Sequence, residues 1–291
     1  MIETPDVSVI IPTFREWDIL PKCLQALQNQ AFPQEKLEVL IINNDPTSVV
    51  PNSLKLPNNM TLFDQPKPGS YASRNLGIDR AKGKILAFTD SDCIPDSNWL
   101  ANGVKYFEKG ADLVGGRVTF FKEADGEELA FLYERQFSFN QKRNIEVNNQ
   151  SITANLFVKK EVFDKVGSFP EGLLSGGDFE WTKKASKSGF KLVYGEDVII
   201  SHPARKSTAS LKKKKKRTSG GMYIKFFRDF SFLKKVSYAL FLLRPPVTIF
   251  FIRKYSIIQR VRLFFLRWQL EWIGVQELFK LSFTGKSAER V

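Results

Sequence analysis

Ala81-Lys82-Gly83-Lys84-Ile85-Leu86-Ala87-Phe88-Thr89-Asp90-Ser91-Asp92 is the stretch on which the reading turns. Ile85 to Thr89 form an apolar run of strand length, and two carboxylates follow directly from its end. Side chains two residues apart at a strand end can converge on a hard divalent cation. Mg²⁺ and Mn²⁺ prefer oxygen ligands and keep positions for substrate phosphate. In open α/β sheets, ligands gather outside the carboxyl ends of the parallel strands. A bare Asp-x-Asp is common, however. The plain alternative is a polar turn in which Asp92 or Asp96 caps the next helix.

The pattern around this stretch is that of an α/β protein. Val7 to Thr13 reads as a buried strand. A helix follows with Ile19, Leu20, Cys23, Leu24 and Leu27 on one face, and Leu37 to Ile42 reads as a second strand. Strand, helix, strand at this spacing predicts a parallel βαβ unit. Met60 to Phe63 is a weak strand candidate. Helices are predicted at 71–82, 98–109, 127–140, 160–166 and 178–188, with extended segments at 111–118, 151–158, 190–194 and 197–200. The fold expected is a mostly parallel, doubly wound sheet with a basic helical appendage at the C-terminus.

Several ordered motifs accompany the carboxylates. They are Val7–Thr13, Gly69-Ser70-Tyr71-Ala72-Ser73-Arg74-Asn75-Leu76-Gly77-Ile78, the stretch quoted first, and Thr153-Ala154-Asn155-Leu156-Phe157-Val158. Phe163-Asp164-Lys165-Val166-Gly167-Ser168-Phe169 and Gly176-Gly177-Asp178-Phe179-Glu180 complete the set. Together they resemble the successive landmarks of the family 2 glycosyltransferases over roughly residues 7–203. The resemblance implies the glycosyltransferase A fold and inverting transfer from a nucleotide sugar, with UDP as the expected nucleotide and Mn²⁺ or Mg²⁺ as cofactor. It implies a nucleotide-sugar half at 1–118 and an acceptor half at 119–206.

The resemblance also implies roles. Pro12 and Thr13 would line the nucleotide pocket, with Arg15 or Glu16 nearby. Arg74 and Asn75 would face the nucleotide, Asp90 and Ser91 would approach the ribose or sugar, and Asp92 would bind the metal. Asp178 would be the catalytic base, with Glu180 as its rival. His202, the single histidine, stands where some relatives complete the metal shell; otherwise it is a surface residue beside Pro203. Family members often carry paired aspartates after the second strand, whereas this chain has Asn43-Asn44-Asp45-Pro46. Asn44 and Asp45 then become the nucleotide contacts at that point, with Asp45 in a shifted position, and the identity of the base is left open. Arg205 and Lys206 would either hold diphosphate or form a solvated basic turn.

These roles are chemically coherent. A nucleoside diphosphate leaving group needs its developing charge neutralised. An alcohol acceptor needs a base opposite that leaving group. A catalytically silent nucleotide-binding member of the family is the alternative.

The net charge of +13 is unevenly spread. Residues 203–291 hold 21 Lys+Arg against 4 Asp+Glu, a balance of +17, and residues 1–202 hold 23 against 27, a balance of −4. A basic nucleic-acid-binding protein is therefore disfavoured, because the basic density lies outside the motif-bearing region. Lys212–Lys216 with Gly220-Gly221 read as a linker or exposed face. Beyond them, aliphatic, aromatic and basic residues mix in a way that suits either an interfacial helix set or a helical subdomain packing its apolar face on the catalytic domain or on a second subunit. Arg244-Pro245-Pro246 breaks the apolar run short of a clean span.

Residues 207–291 are thus expected to touch a membrane surface without crossing it, which favours a lipid-linked or cell-envelope glycan acceptor. Two cysteines, Cys23 and Cys93, make no disulfide framework, and Met1–Asp6 has no signal-like pattern. A cytoplasmic protein, peripheral at the inner face of the plasma membrane, is expected.

Overall fold

Val7–Thr13 (β1) is buried along its whole length because it is central in a parallel sheet, where both faces are covered. The computed structural model describes residues 4–173 and 175–284; residues 285–291 of the tail lie outside the described residues. β1 pairs in parallel with Leu37–Asn43 (β2), in the register Val7↔Leu37 to Thr13↔Asn43. β2 pairs in parallel with Met60–Asp64 (β3), so the weak strand candidate is a strand. On the other side, β1 pairs in parallel with Ile85–Thr89 (β4). Leu20–Gln28 (α1) and Ser70–Arg80 (α2) are the intervening helices.

Past β4 the sheet gains reversed strands. The remaining strands are Ile94–Pro95 (β5), Leu113–Phe121 (β6), Asn155–Lys159 (β7) and Leu192–Pro203 (β8). The eight-stranded order is β3-β2-β1-β4-β7-β6-β8-β5. The sheet is therefore mixed but mostly parallel: β7 is antiparallel to β4 and β6, and β5 is antiparallel to β8. β6 and β8 run in the same direction, with the Leu113 amide on the Lys191 carbonyl and the Ala204 amide on the Phe121 carbonyl. The expected segments 190–194 and 197–200 merge into one strand, β8, which begins at Leu192 and runs through Gly195 without a break.

Trp99–Glu108 (α3), Glu128–Phe137 (α4), Gln141–Asn148 (α5), Lys160–Val166 (α6) and Gly177–Lys187 (α7) are the other helices before residue 203. The helix expected over 127–140 stops at Phe137. Phe139 then takes a positive φ of 46°, and Asn140 caps α5 by accepting from the Arg143 amide. Neither Asp92 nor Asp96 caps α3; Asn98 holds that position, and the Asp96 carboxylate accepts from its amide.

Asn155 ties the second half of the sheet together. Its Nδ2 donates to the carbonyls of Arg117 and Val198, both at 2.9 Å, and its Oδ1 accepts from Trp99 Nε1 at 2.9 Å. One fully buried amide thus fixes β6, β8 and α3 against β7. Gly116 is required beside it, because a Cβ there would run into the Asn155 amide and the Val198 carbonyl.

The chain divides into two compact units: residues 1–119, 139–172 and 176–202, and residues 120–138, 173–175 and 203–291. In the second unit lie Thr208–Met222 (α8), a π-helical turn at Tyr223–Phe227, Phe232–Leu242 (α9), a 3₁₀ turn at Val247–Phe251 and Ile257–Thr284 (α10). The lysine run is not a linker. It lies within α8, which opens with a capping box at Ser207 and packs on α10. Lys214 pairs with Glu134 at 2.7 Å and Lys215 with Glu271 at 2.6 Å, which lets this highly charged helix sit against protein. Gly274 faces Lys215 and Ser219 and has no room for a Cβ. Among the described residues, no helix is long and apolar enough to cross a membrane.

Asn155→Leu would leave an indole N–H and two carbonyls buried without partners. Urea unfolding should show a loss of about 3 kcal/mol or more, whereas Trp99→Phe, which also trims a buried ring, leaves only the Asn155 acceptor unmatched and should cost less.

Candidate functional site

Parallel pairing brings the carboxyl ends of β1, β2, β3 and β4 to one edge, and the expected polar residues follow those ends. Pro12 and Thr13 close β1, and Thr13 Oγ1 is buried with no hydrogen-bond partner. Arg15 sits in the left-handed region (φ 59°) and its Nε meets Asp45 Oδ2 at 2.5 Å. Asp45 also accepts from the Thr47 hydroxyl, and that bond, with Arg15, holds its carboxyl below the usual carboxylate range. Asn44 is consumed by the backbone: it donates to the Gln65 and Lys67 carbonyls and accepts from the Gly69 amide. Asn43 donates to Asp64 at 2.8 Å.

Around β4 the acidic groups gather. Asp90, Asp92, Cys93 and His202 place one ligand atom each within 4.8 Å of one another. His202 Nε2 lies 3.6 Å from Asp92 Oδ2, and its ring stands edge-on to Phe139. The register Ile94↔Ser201 between β5 and β8 is what sets His202 beside the Asp90-Ser91-Asp92 turn. Ser91 donates to Glu16, adding a third carboxylate. Burial, then the Asp92 and Asp90 charges, push Glu16 up; burial, with Asp90 adding to it, pushes Asp92 up against the opposing pull of His202.

Asp90, Asp92 and His202 form an oxygen-and-imidazole donor set that fits Mn²⁺ or Mg²⁺. Cys93 does not belong to it chemically. Burial, then the charges of Asp90 and Asp92, keep its thiol protonated, and a neutral thiol is a poor ligand for these ions.

Arg74 links this cluster to Asp178. Its guanidinium binds Asp90 Oδ1 at 2.5 Å and stands over the Tyr71 ring, one helical turn earlier on α2. The Tyr71 hydroxyl accepts from the amides of Gly177 (2.9 Å) and Asp178 (3.2 Å), so its own proton points to Asp178 Oδ1 at 3.1 Å. Asp178 Oδ1 also accepts from the Phe179 amide and Oδ2 from the Thr153 amide. Burial pushes the Asp178 carboxyl up, and the Arg74 charge and these hydrogen bonds pull against it. Asp178 is not the helix cap; Gly176 is, at φ 77°, and Asp178 lies in the first turn of α7.

Asn75 behaves differently from its neighbour Arg74. Both ends of its amide are bonded to the 169–171 segment: Nδ2 to the Phe169 carbonyl and Glu171, Oδ1 to the Phe169 amide. It builds the wall rather than joining the acidic cluster. Tyr71 was not singled out from the sequence; its spacing of three from Arg74 on a helix was the available signal. Two cavities, of about 210 Å³ near Trp17 and Leu54 and about 350 Å³ near Lys183 and Phe190, include none of these acidic residues.

The family model described as Glycosyl transferase family 2 matches residues 8–167. Glycosyltransferase AglE of Haloferax volcanii is 39% identical over 253 residues, covering 83% of each chain. The dolichyl N-acetyl-alpha-D-glucosaminyl phosphate 3-beta-D-2,3-diacetamido-2,3-dideoxy-beta-D-glucuronosyltransferase of Methanococcus voltae is 25% identical over 226 residues, covering 69% of this chain and 68% of its own. Among solved structures, the mannosyltransferase PcManGT of Pyrobaculum calidifontis, in complex with GDP-Man and Mn²⁺, superposes with a TM-score of 0.65 at 18% identity over 98% of this chain and 89% of that one. The fold is a glycosyltransferase A fold. This chain belongs to glycosyl transferase family 2.

Glu16 and Asp92 bind protons more tightly folded than unfolded, so metal-free stability should gain from them as pH falls from neutrality through their raised values. At neutral pH, Mn²⁺ at a hundred times its dissociation constant should stabilise the protein by about 2.7 kcal/mol, read as a melting shift. Asp92→Asn should raise the metal-free melting temperature and abolish the Mn²⁺ shift.

Proposed function

We propose that this chain is an active, metal-dependent inverting glycosyltransferase. It moves a sugar from a nucleoside diphosphate sugar, taken as a UDP-sugar, to a hydroxyl of a lipid-linked glycan. The observation that carries the reading is the continuous path Asp90–Arg74–Tyr71–Asp178, which connects a half-buried carboxylate to the cluster of Asp90, Asp92 and His202. The complex of PcManGT with GDP-Man and Mn²⁺ supports the donor class and the metal, and the dolichyl-linked acceptor of the Methanococcus transferase supports a lipid-linked acceptor.

Asp92 and His202 would hold the cation, with Asp90 beside them. Bound there, a divalent ion supplies charge neutralisation for the departing diphosphate. Arg74 keeps Asp90 in one orientation and offsets part of the local negative charge. The acceptor oxygen bonds to the anomeric carbon on the face opposite the diphosphate, the carbon–oxygen bond to the diphosphate breaks, and Asp178 takes the acceptor's proton. The raised carboxyl of Asp178 suits that proton transfer, because a base nearer the working pH accepts a proton more readily.

Transfer assays with a panel of UDP- and GDP-sugars should separate the roles. Asp178→Asn should lower kcat by about 10²–10⁴ while keeping Mn²⁺-dependent donor binding. Asp92→Ala should lose both. Undiminished turnover in either variant would rule out the corresponding role.

A further inference from the structure

α10 is apolar on two opposite sides. Leu263, Leu266, Leu270, Gly274, Leu278 and Leu281 are buried, and their spacing places them along one side. Ile257, Ile258, Val261, Phe265 and Trp272 fall roughly half a turn away and are exposed, Ile257 at 74% and Ile258 at 72%. A soluble helix ordinarily presents polar residues there.

The exposed side is extended by the turn before it. Arg260 fastens that turn to α10: its guanidinium donates to the carbonyls of Tyr255 (2.8 Å), Phe250 (2.9 Å) and Arg253 (3.4 Å). Trp268 Nε1 holds the Leu243 carbonyl at 2.9 Å, and Ile249 and Tyr255 anchor the turn in a small core with Leu132 and Leu263. Held this way, Val247 and Phe251 stay in water, Phe251 at 80% exposure. The apolar tip is thus a fixed feature of this unit.

Charge identifies the occupant. Residues 230–270 contain eight Lys+Arg and no Asp or Glu. Arg244, Arg253, Lys254 and Arg262 are exposed among the apolar side chains. A second copy on this face would bring like charges together, which opposes association. Nucleic acid would neutralise the cations but leave the aliphatic side chains without a use. An anionic bilayer satisfies both, with side chains entering the acyl boundary by about 5–10 Å and cations lying among lipid phosphates.

We propose that the 247–265 tip is a monotopic docking surface for anionic lipid. It binds membrane without spanning it, and it does so whether or not the carboxylate cluster performs glycosyl transfer.

The test is flotation of the full chain with vesicles of phosphatidylglycerol and phosphatidylcholine, one to one, and with phosphatidylcholine alone. Binding to the anionic vesicles should be about thirtyfold tighter or more in ~0.1 M salt, and it should weaken as salt is raised. Phe251→Asp with Ile258→Asp, both at exposed positions, should lower binding about tenfold or more with the melting temperature unchanged. Arg253→Glu with Lys254→Glu should lower binding to anionic vesicles only. Absence of vesicle binding, equal binding to both compositions, or a concentration-dependent dimer abolished by the aspartate pair would overturn the proposal.

Discussion

Arg74 is the group on which the acidic site depends. Asp90, Asp92 and Glu16 crowd around one strand end, and burial disfavours the charged state of two of them. A nearly buried guanidinium bonded to Asp90 supplies fixed positive charge where water is scarce. The same cation lies over Tyr71 and lowers the Asp178 carboxyl against the effect of burial. One side chain on α2 therefore touches both groups of carboxylates, pairing with Asp90 and lowering Asp178. A lysine would be a poorer substitute, because only a planar guanidinium combines a directed ion pair with stacking on an aromatic face.

The frame that holds this arrangement is the change of direction in the sheet. The parallel half collects Thr13, Asn43, Asp64 and Thr89 at one edge through register alone. The second half then returns β7 antiparallel along β4 and brings β8 against β5. Asn155 is the joint between the two halves. It pairs across from Thr89 and also bonds to carbonyls on β6 and β8. Its neighbours in the motif contribute too, since the Thr153 amide reaches Asp178.

The second unit is held by different means. A buried Glu134 accepts from the Arg205 amide, Lys214 and Ser138, so that a strongly basic segment still finds an internal counter-charge. Removing that carboxylate would strand a buried ammonium, which is why such pairs constrain structure more than they add stability. The charges that remain on the surface of residues 230–270 are all positive, and they share that surface with the exposed side of α10.

The sequence by itself determined the strands of the parallel half, the helices between them and the Asp90-Ser91-Asp92 turn, because those follow from local periodicity and from short spacing. The order of its motifs was enough to indicate the family. Only the tertiary structure decided that His202 stands beside Asp92, since that follows from the pairing of β5 with β8, elements far apart along the chain. It alone showed that Asn75 and Asn44 spend their amides on backbone and that the Tyr71 proton must point to Asp178. It also turned the lysine run into a packed helix, because the carboxylates that make this tolerable, Glu134 and Glu271, come from other helices. Pattern fixes which residues share a local face; long-range register and hydrogen-bond accounting decide what each of those faces meets.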